Sequence, residues 1–324
     1  QFEFTNAGVA STCSHTGAFR LPRDVLAHEP DLMFIEFAVN DDQDAAHDYA
    51  AAVRGMEGIV RAAKLARPGM ELEITHFGNP AMQATSDGGK VPVSILAHEA
   101  VARHYGITTC NVARELATQI KSGQMTWQTY GGVHPKPAGN RIAADLIESV
   151  FEQTRFSEIA FEQSSAASSV LSKKSEMPPP IDPLSFFRGR LLSTEAIAGK
   201  DDWTVAEPNW KSSPGKLRPR FDHRKLIMAT TPGAEIKVDF DGTAVGIYIL
   251  AGPDAGTIEY AIDDGAWKSA DLFHRFSKSL HYPRTIVLDS ALSNSNHQIR
   301  IRVSEKRNES SKGNAVRVIG FVAS

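Results

Sequence analysis

The chain has 324 residues, 42% hydrophobic and 23% charged, and its 35 Lys+Arg against 38 Asp+Glu leave a formal charge of −3. That length is about twice a usual domain of ~100–150 residues, so two domains are expected, and a near-neutral charge supplies no basic field of the kind a nucleic-acid partner requires. The longest uninterrupted apolar run, Val245 to Gly252, is far short of the ~20 residues that span a bilayer, which argues against membrane insertion.

From Phe2 to about Glu152, short β-branched or aromatic runs alternate with helical stretches, the pattern of βα units and a mainly parallel sheet. The chain opens on Gln1-Phe2-Glu3-Phe4, with neither an initiator Met nor a charged-then-apolar leader, as though it started inside a longer sequence. Strands are predicted at Phe2 to Thr5, Leu32 to Phe37, Leu72 to His76 and Ile107 to Val112. Between the second and third, a helix from about Ala45 to Ala66 carries Tyr49, Val53, Met56, Val60 and Ala63 on one stripe. Arg54, Glu57, Arg61 and Lys64 are expected on the solvent side, and Pro68-Gly69 ends the helix.

Between roughly Gln153 and Pro183 the composition shifts to Ser, Ala and Lys, with Ser164 to Ser169 and then Pro178-Pro179-Pro180. No periodic apolar face survives there, which reads as a linker, flexible first and stiffer at the prolines. Beyond Leu184, alternation of Val245, Ile247 and Ile249, of Ile258, Tyr260 and Ile262, and of Ile299, Ile301 and Val303 predicts half-exposed antiparallel strands in a β-sandwich. The expected domains are therefore 1–152, a linker at 153–183, and 184–324.

Ligands of open α/β sheets bind at the carboxyl ends of the strands. There the sequence reads Asn6-Ala7-Gly8-Val9-Ala10-Ser11-Thr12, then Ala38-Val39-Asn40-Asp41-Asp42, then His76-Phe77-Gly78-Asn79, with Gly131-Gly132-Val133-His134-Pro135 ahead of the last helix. Each alone is ordinary turn or cap chemistry; their succession along one sheet edge points to a site. No phosphate-binding glycine motif occurs. His98-Glu99 and His104 superficially resemble a metalloprotease helix, but six residues put the two imidazoles about 240° apart around it. Asn40-Asp41-Asp42-Gln43-Asp44 is better read as an acidic helix start than as a calcium loop, so neither a metal nor another cofactor is expected.

These blocks resemble the SGNH (Gly-Asp-Ser-Leu type) hydrolases over Phe2 to about Phe151. Asn6-Ala7-Gly8 is similar to their second block, Ala38-Val39-Asn40-Asp41 to the third with Ala for Gly, and His134 to the histidine of the last. The resemblance implies a flavodoxin-like parallel sheet with flanking helices in strand order 2-1-3-4-5, followed by the β-sandwich of a carbohydrate esterase-like subgroup. For that subgroup, Gly242-Thr243-Ala244-Val245-Gly246 and Ala251-Gly252-Pro253-Asp254-Ala255-Gly256 are the matching segments. It implies a serine carboxyl-ester hydrolase that deacetylates a polysaccharide or another small acyl ester. Asn40 and the backbone N–H of Ser11 would be the oxyanion donors and His134 the general base, with His76, Asp41 and Gly8 as substrate-binding residues. Export to the periplasm or outside the cell follows by analogy.

The sequence departs from the family pattern at three places. The Gly-Asp-Ser nucleophile block is absent, which reads as an N-terminal truncation of on the order of 30 residues; Ser11 and Ser14 are the nearby hydroxyls. Gly131 stands where an Asp is expected three residues before His134, leaving a Ser-His dyad, and Ser11 replaces a Gly. The alternative reading is a non-catalytic glycan-binding protein on a degenerate hydrolase scaffold. Acyl transfer to an acceptor other than water would use the same residues. In the sandwich, Trp203, Trp210, Trp267, Phe273, Phe276 and Tyr282 are read as core first and as a sugar-contacting loop second. The two cysteines, Cys13 and Cys110, are too few for a disulfide scaffold, and the family strand order would hold them roughly 19 Å apart, so free thiols are expected.

Overall fold

The computed structural model describes residues 3–162, 177–193 and 202–324; the Ser164 to Ser169 run lies outside them. The chain divides into two compact units that do not follow chain order. One comprises Pro30–Val60 and Arg67–Ser185, the other Gln1–Glu29, Arg61–Ala66 and Phe186–Ser324. They are called the α/β unit and the β unit.

The α/β unit holds a parallel sheet in the order β1 (Leu32–Ile35), β2 (Glu71–Thr75), β3 (Thr108–Cys110). This is the neighbour order of strands three to five of the expected fold. Strand β1 alternates, with Met33 and Ile35 buried and Leu32 and Phe34 exposed, whereas β2 is buried from Leu72 onward. The helices are α2 (Tyr49–Ala66, which runs on into the other unit), α3 (Pro80–Asp87), α4 (Val93–Tyr105), α5 (Val112–Lys121), α6 (Trp127–Tyr130) and α7 (Pro137–Glu162). Val112, Leu116, Tyr130, Ile142 and Ala143 form one apolar cluster that packs α5, α6 and α7 together. A second cluster, Ala38, Val39, Met82 and Ile95, seats the chain after β1 on α3 and α4.

Two local expectations are corrected. Glu3 to Thr5 has no ladder partner among the described residues and is not a strand, since a strand without a neighbour leaves its N–H and C=O groups unsatisfied. Glu57, expected on a solvent face of α2, is fully buried. Its carboxylate accepts the backbone N–H groups of Ile181 (2.6 Å) and Asp182 (2.8 Å) and the Tyr105 hydroxyl (2.6 Å). The Pro178-Pro179-Pro180 segment is thereby fastened to this unit, and Arg54 pairs with Asp182 at 2.8 Å.

The β unit begins with α1 (Ser14–Asp24) and continues, after Phe186, with β4 (Arg190–Leu191), β5 (Thr204–Ala206), β6 (Leu226–Ala229), β7 (Glu235–Gly242), β8 (Val245–Ala251), β9 (Thr257–Ile262), β10 (Lys268–Asp271), β11 (Tyr282–Asp289), β12 (Ser295–Val303) and β13 (Val316–Ala323). One antiparallel sheet runs β10-β9-β12-β7 and the other β11-β8-β13-β6-β5, with β4 beside β13. The inward residues Ile236, Val238, Ile258, Ile299 and Ile301 of the first share one core with Ile247, Ile249, Val316, Val318 and Phe321 of the second. That shared core makes the pair a sandwich. Trp203 and Phe273 belong to it, while Phe276 is exposed and Trp267 lies under Arg300 and Arg302.

Candidate active site

In the α/β unit the chain leaves β1 through Glu36 and enters a single wide turn, Asn40–Asp44, closed by the Ala45 N–H on the Asn40 carbonyl at 2.9 Å. Such turns insert one extra residue per helical turn and are frequent at functional sites. The Asn40 side-chain amide donates one N–H to Asp44 Oδ2 at 2.6 Å. An amide NH2 carries two donors, so the second is left for another acceptor while Asp44 fixes the plane of the group.

Asp41 turns the other way and has no exposed surface. His98 Nε2 of α4 lies 2.9 Å from Asp41 Oδ2, and His47 Nδ1 lies 3.5 Å from Oδ1. Burial works to raise this carboxyl, but hydrogen bonds and charge from His47 and His98 outweigh it and hold the group well below the usual carboxylate range. The His98 ring stacks on the fully buried His76 ring at 6.0 Å, and His76 Nε2 reaches Glu99 Oε1 at 3.1 Å. That hydrogen bond is the main reason the Glu99 carboxyl lies below its ordinary value. One polar chain therefore runs beneath the Asn40 turn, from Asp41 through His98 and His76 to Glu99. Asp41 and His76 are both fully buried; Asp41 faces His98 and His47, and His76 has Nε2 on Glu99 while its Nδ1 has no partner among the described residues. Asn79 accepts the Met82 N–H at 2.8 Å as the cap of α3, and its amide faces Asp42 at 3.4 Å.

Glu36 is the other carboxyl at this sheet edge. Its Oε1 accepts the Ala38 N–H at 3.0 Å. Burial pushes it up to about 7, against the opposing pull of backbone donors on Ala38, Val39 and Phe77 and with a further push from Asp41. Tyr130, fully buried and with no partner for its hydroxyl among the described residues, is raised to about 12 by burial and by Glu36.

His134 lies three residues ahead of α7 and is exposed. Among the described residues no carboxylate pairs with it. Gly131 explains why sequence spacing cannot supply one. Its φ is +116°, and a Cβ there would lie 2.3 Å from the His134 carbonyl oxygen and 2.8 Å from the Lys136 nitrogen. Any side chain at this position, Asp included, collides with the turn that carries His134.

Gly8 and Ser11 lie in the β unit. The Gly8 N–H donates to Asn6 Oδ1 at 2.9 Å, and the Gly8 carbonyl accepts from Arg220. Ser11 has φ 71°, the left-handed conformation that glycine adopts at no steric cost, which accounts for the family preference for Gly there. Arg218 braces the strained loop, donating to the Ala10 carbonyl at 2.5 Å and to Ser11 Oγ at 2.6 Å. The Ser11 backbone N–H donates to no group among the described residues.

Cys13 and Cys110 are free thiols, both buried. The metal-ligand type grouping found among the described residues is Glu207, Asp222 and His223, all exposed in the β unit.

The GDSL-like Lipase/Acylhydrolase family matches residues 1–142. That match, on a parallel sheet with flanking helices followed by antiparallel sheets, supports an SGNH-type hydrolase fold with a C-terminal β domain. Among solved structures it is similar to a two-domain esterase (CEX) active on acetylated mannans, with a TM-score of 0.71 at 18% identity over 98% of this chain and 79% of that one. The same esterase co-crystallised with mannopentaose gives a TM-score of 0.71, again at 18% identity, over 98% of this chain and 78% of that one. No curated protein sequence matches the chain.

Residues that sequence reasoning missed are His47, His98, Glu99 and Glu36. In the sequence His98-Glu99 resembles only a zinc motif. The usable signal is a histidine and a carboxylate within the otherwise apolar stretch Ile95 to Ala102, a combination that needs a buried partner.

Proposed function

We propose that this chain belongs to a serine carboxyl-ester hydrolase that removes acetyl groups from a polysaccharide. The reading rests on the Asn40 turn: a side-chain amide oriented by Asp44, with one donor unspent, held above a buried polar chain. Asn40 Nδ2–H and the Ser11 N–H are the proposed oxyanion donors, and losing either is expected to cost roughly 3–4 kcal/mol of transition-state stabilisation. His134 takes the proton of the attacking serine, which a Gly-Asp-Ser block would supply, and returns it to the leaving sugar oxygen. With Gly131 in place of an acid, the machinery is a dyad. Asp41 and His76 position the Asn40 turn from below, and Gly8 shapes the Ser11 loop.

The proposed domains are 1–152 and 184–324 with a linker at 153–183, the sandwich presenting acetylated glycan. Similarity to an esterase active on acetylated mannans supports the substrate class. A chain carrying the Gly-Asp-Ser block should cleave p-nitrophenyl acetate faster than longer-chain esters and release acetate from acetylated mannan. Preference for a long acyl chain would overturn the deacetylase reading.

A further inference from the structure

Within the β unit, a cavity of about 500 Å³ is lined by Arg20, Arg23, Arg220 and Arg224, with Asp24, His28 and Tyr248 as its other titratable groups. Arg20 is a charged side chain with only 7% of its surface exposed. It donates Nε to Asp24 Oδ2 at 2.7 Å and Nη2 to the Ala7 carbonyl at 3.0 Å. Arg23 takes the other edge of the same carboxylate, Nε to Oδ1 at 2.5 Å. Arg220 is held on the Gly8 carbonyl. Arg224 donates its guanidinium to no group among the described residues, although burial and the neighbouring Arg23 and Arg20 charges depress its pKa.

Four guanidiniums thus face one carboxylate, an excess of three positive charges in a concave, partly desolvated place. Like charges gathered this way repel and are retained where an anion neutralises them. Guanidinium forks match carboxylate and phosphate geometry alike, but a single carboxylate would leave two charges uncompensated. The doubly charged phosphate fits better.

We propose that this arginine cavity binds a phosphate group, as inorganic phosphate or as the phosphomonoester of a sugar. Neither Asn40 nor His134 lines it.

The test is isothermal titration calorimetry with inorganic phosphate, glucose 6-phosphate and glucuronate. The expected result is binding of a phosphate ligand that weakens by about tenfold or more in Arg224→Gln and is unchanged in Arg300→Gln, which lies outside the cavity. Because the Arg224 guanidinium has no hydrogen-bond partner among the described residues, its substitution should leave the thermal melt in place. Tighter binding of glucose 6-phosphate than of inorganic phosphate supports the sugar ester as the source, and the reverse order supports the free ion. No heat with either phosphate up to about 10 mM, glucuronate binding as tightly as phosphate, or affinity unchanged by Arg224→Gln would each overturn the proposal. So would loss of binding in a chain extended upstream of Gln1, which would give the cavity to the protein's own preceding segment.

Discussion

Restoring the acid that the family pattern expects, by Gly131→Asp, should damage this protein. At φ +116° a Cβ would stand 2.3 Å from the His134 carbonyl oxygen and 2.8 Å from the Lys136 nitrogen. Relief requires giving up the hydrogen bonds that define the turn, Lys136 N–H on the Tyr130 carbonyl (2.6 Å) and Gly131 N–H on the Trp127 carbonyl (3.0 Å). Backbone strain of ~1–3 kcal/mol for a non-glycine residue, with about 1 kcal/mol for each hydrogen bond lost, puts the destabilisation at about 2–5 kcal/mol. Gly132 is the internal control: its φ is +73°, but a Cβ there meets nothing within 4 Å, so Gly132→Ala should cost only ~1 kcal/mol. Urea denaturation of both variants measures the difference, and p-nitrophenyl acetate hydrolysis by the chain carrying the Gly-Asp-Ser block reports on the His134 turn. Gly131→Asp with wild-type stability and a raised kcat would refute the steric reasoning and the dyad together.

Glu36 predicts a pH dependence. Its folded value of about 7 lies above the ordinary 4.5, so the folded state binds the extra proton. Its contribution is full below about pH 4.5 and is lost as pH rises through about 7, an effect of about 3 kcal/mol. Glu36→Gln should flatten the stability curve between those limits; parallel curves for the two proteins would contradict this. His98→Phe removes a buried partner of Asp41 and should destabilise by roughly 3–5 kcal/mol, measured by urea melts, with a change under about 1 kcal/mol counting against the buried chain. Both thiols should be silent to Ellman's reagent in the native protein and react on unfolding, since Cys13 and Cys110 are buried and burial beside Glu73 pushes Cys110 up to about 12. Rapid reaction before unfolding would argue against that burial.

Periodicity made the architecture legible: β1 and β3 fall inside their predicted ranges, β2 starts one residue before its own, and the Ile299, Ile301, Val303 alternation became the inward face of β12. Alternation identifies a strand wherever one face is buried and the other wet. It failed at Glu3 to Thr5 because pairing depends on a neighbour and not on the strand's own composition. It failed at Glu57 because a helix wheel shows which residues are polar, not which backbone donors another segment will bring to them. The site was legible in its glycine and asparagine blocks, whose spacing is local. Ser11 at φ 71° keeps a glycine conformation that its residue type conceals. The chain from Asp41 through His98 and His76 to Glu99 joins residues that only the fold brings together, so each histidine looked unattached in one dimension.

The most direct test of the hydrolase reading is p-nitrophenyl acetate turnover by the chain carrying the Gly-Asp-Ser block, with and without His134→Ala. Loss of nearly all kcat, with the fold intact by circular dichroism, is the predicted result. Unchanged hydrolysis in His134→Ala would contradict the account.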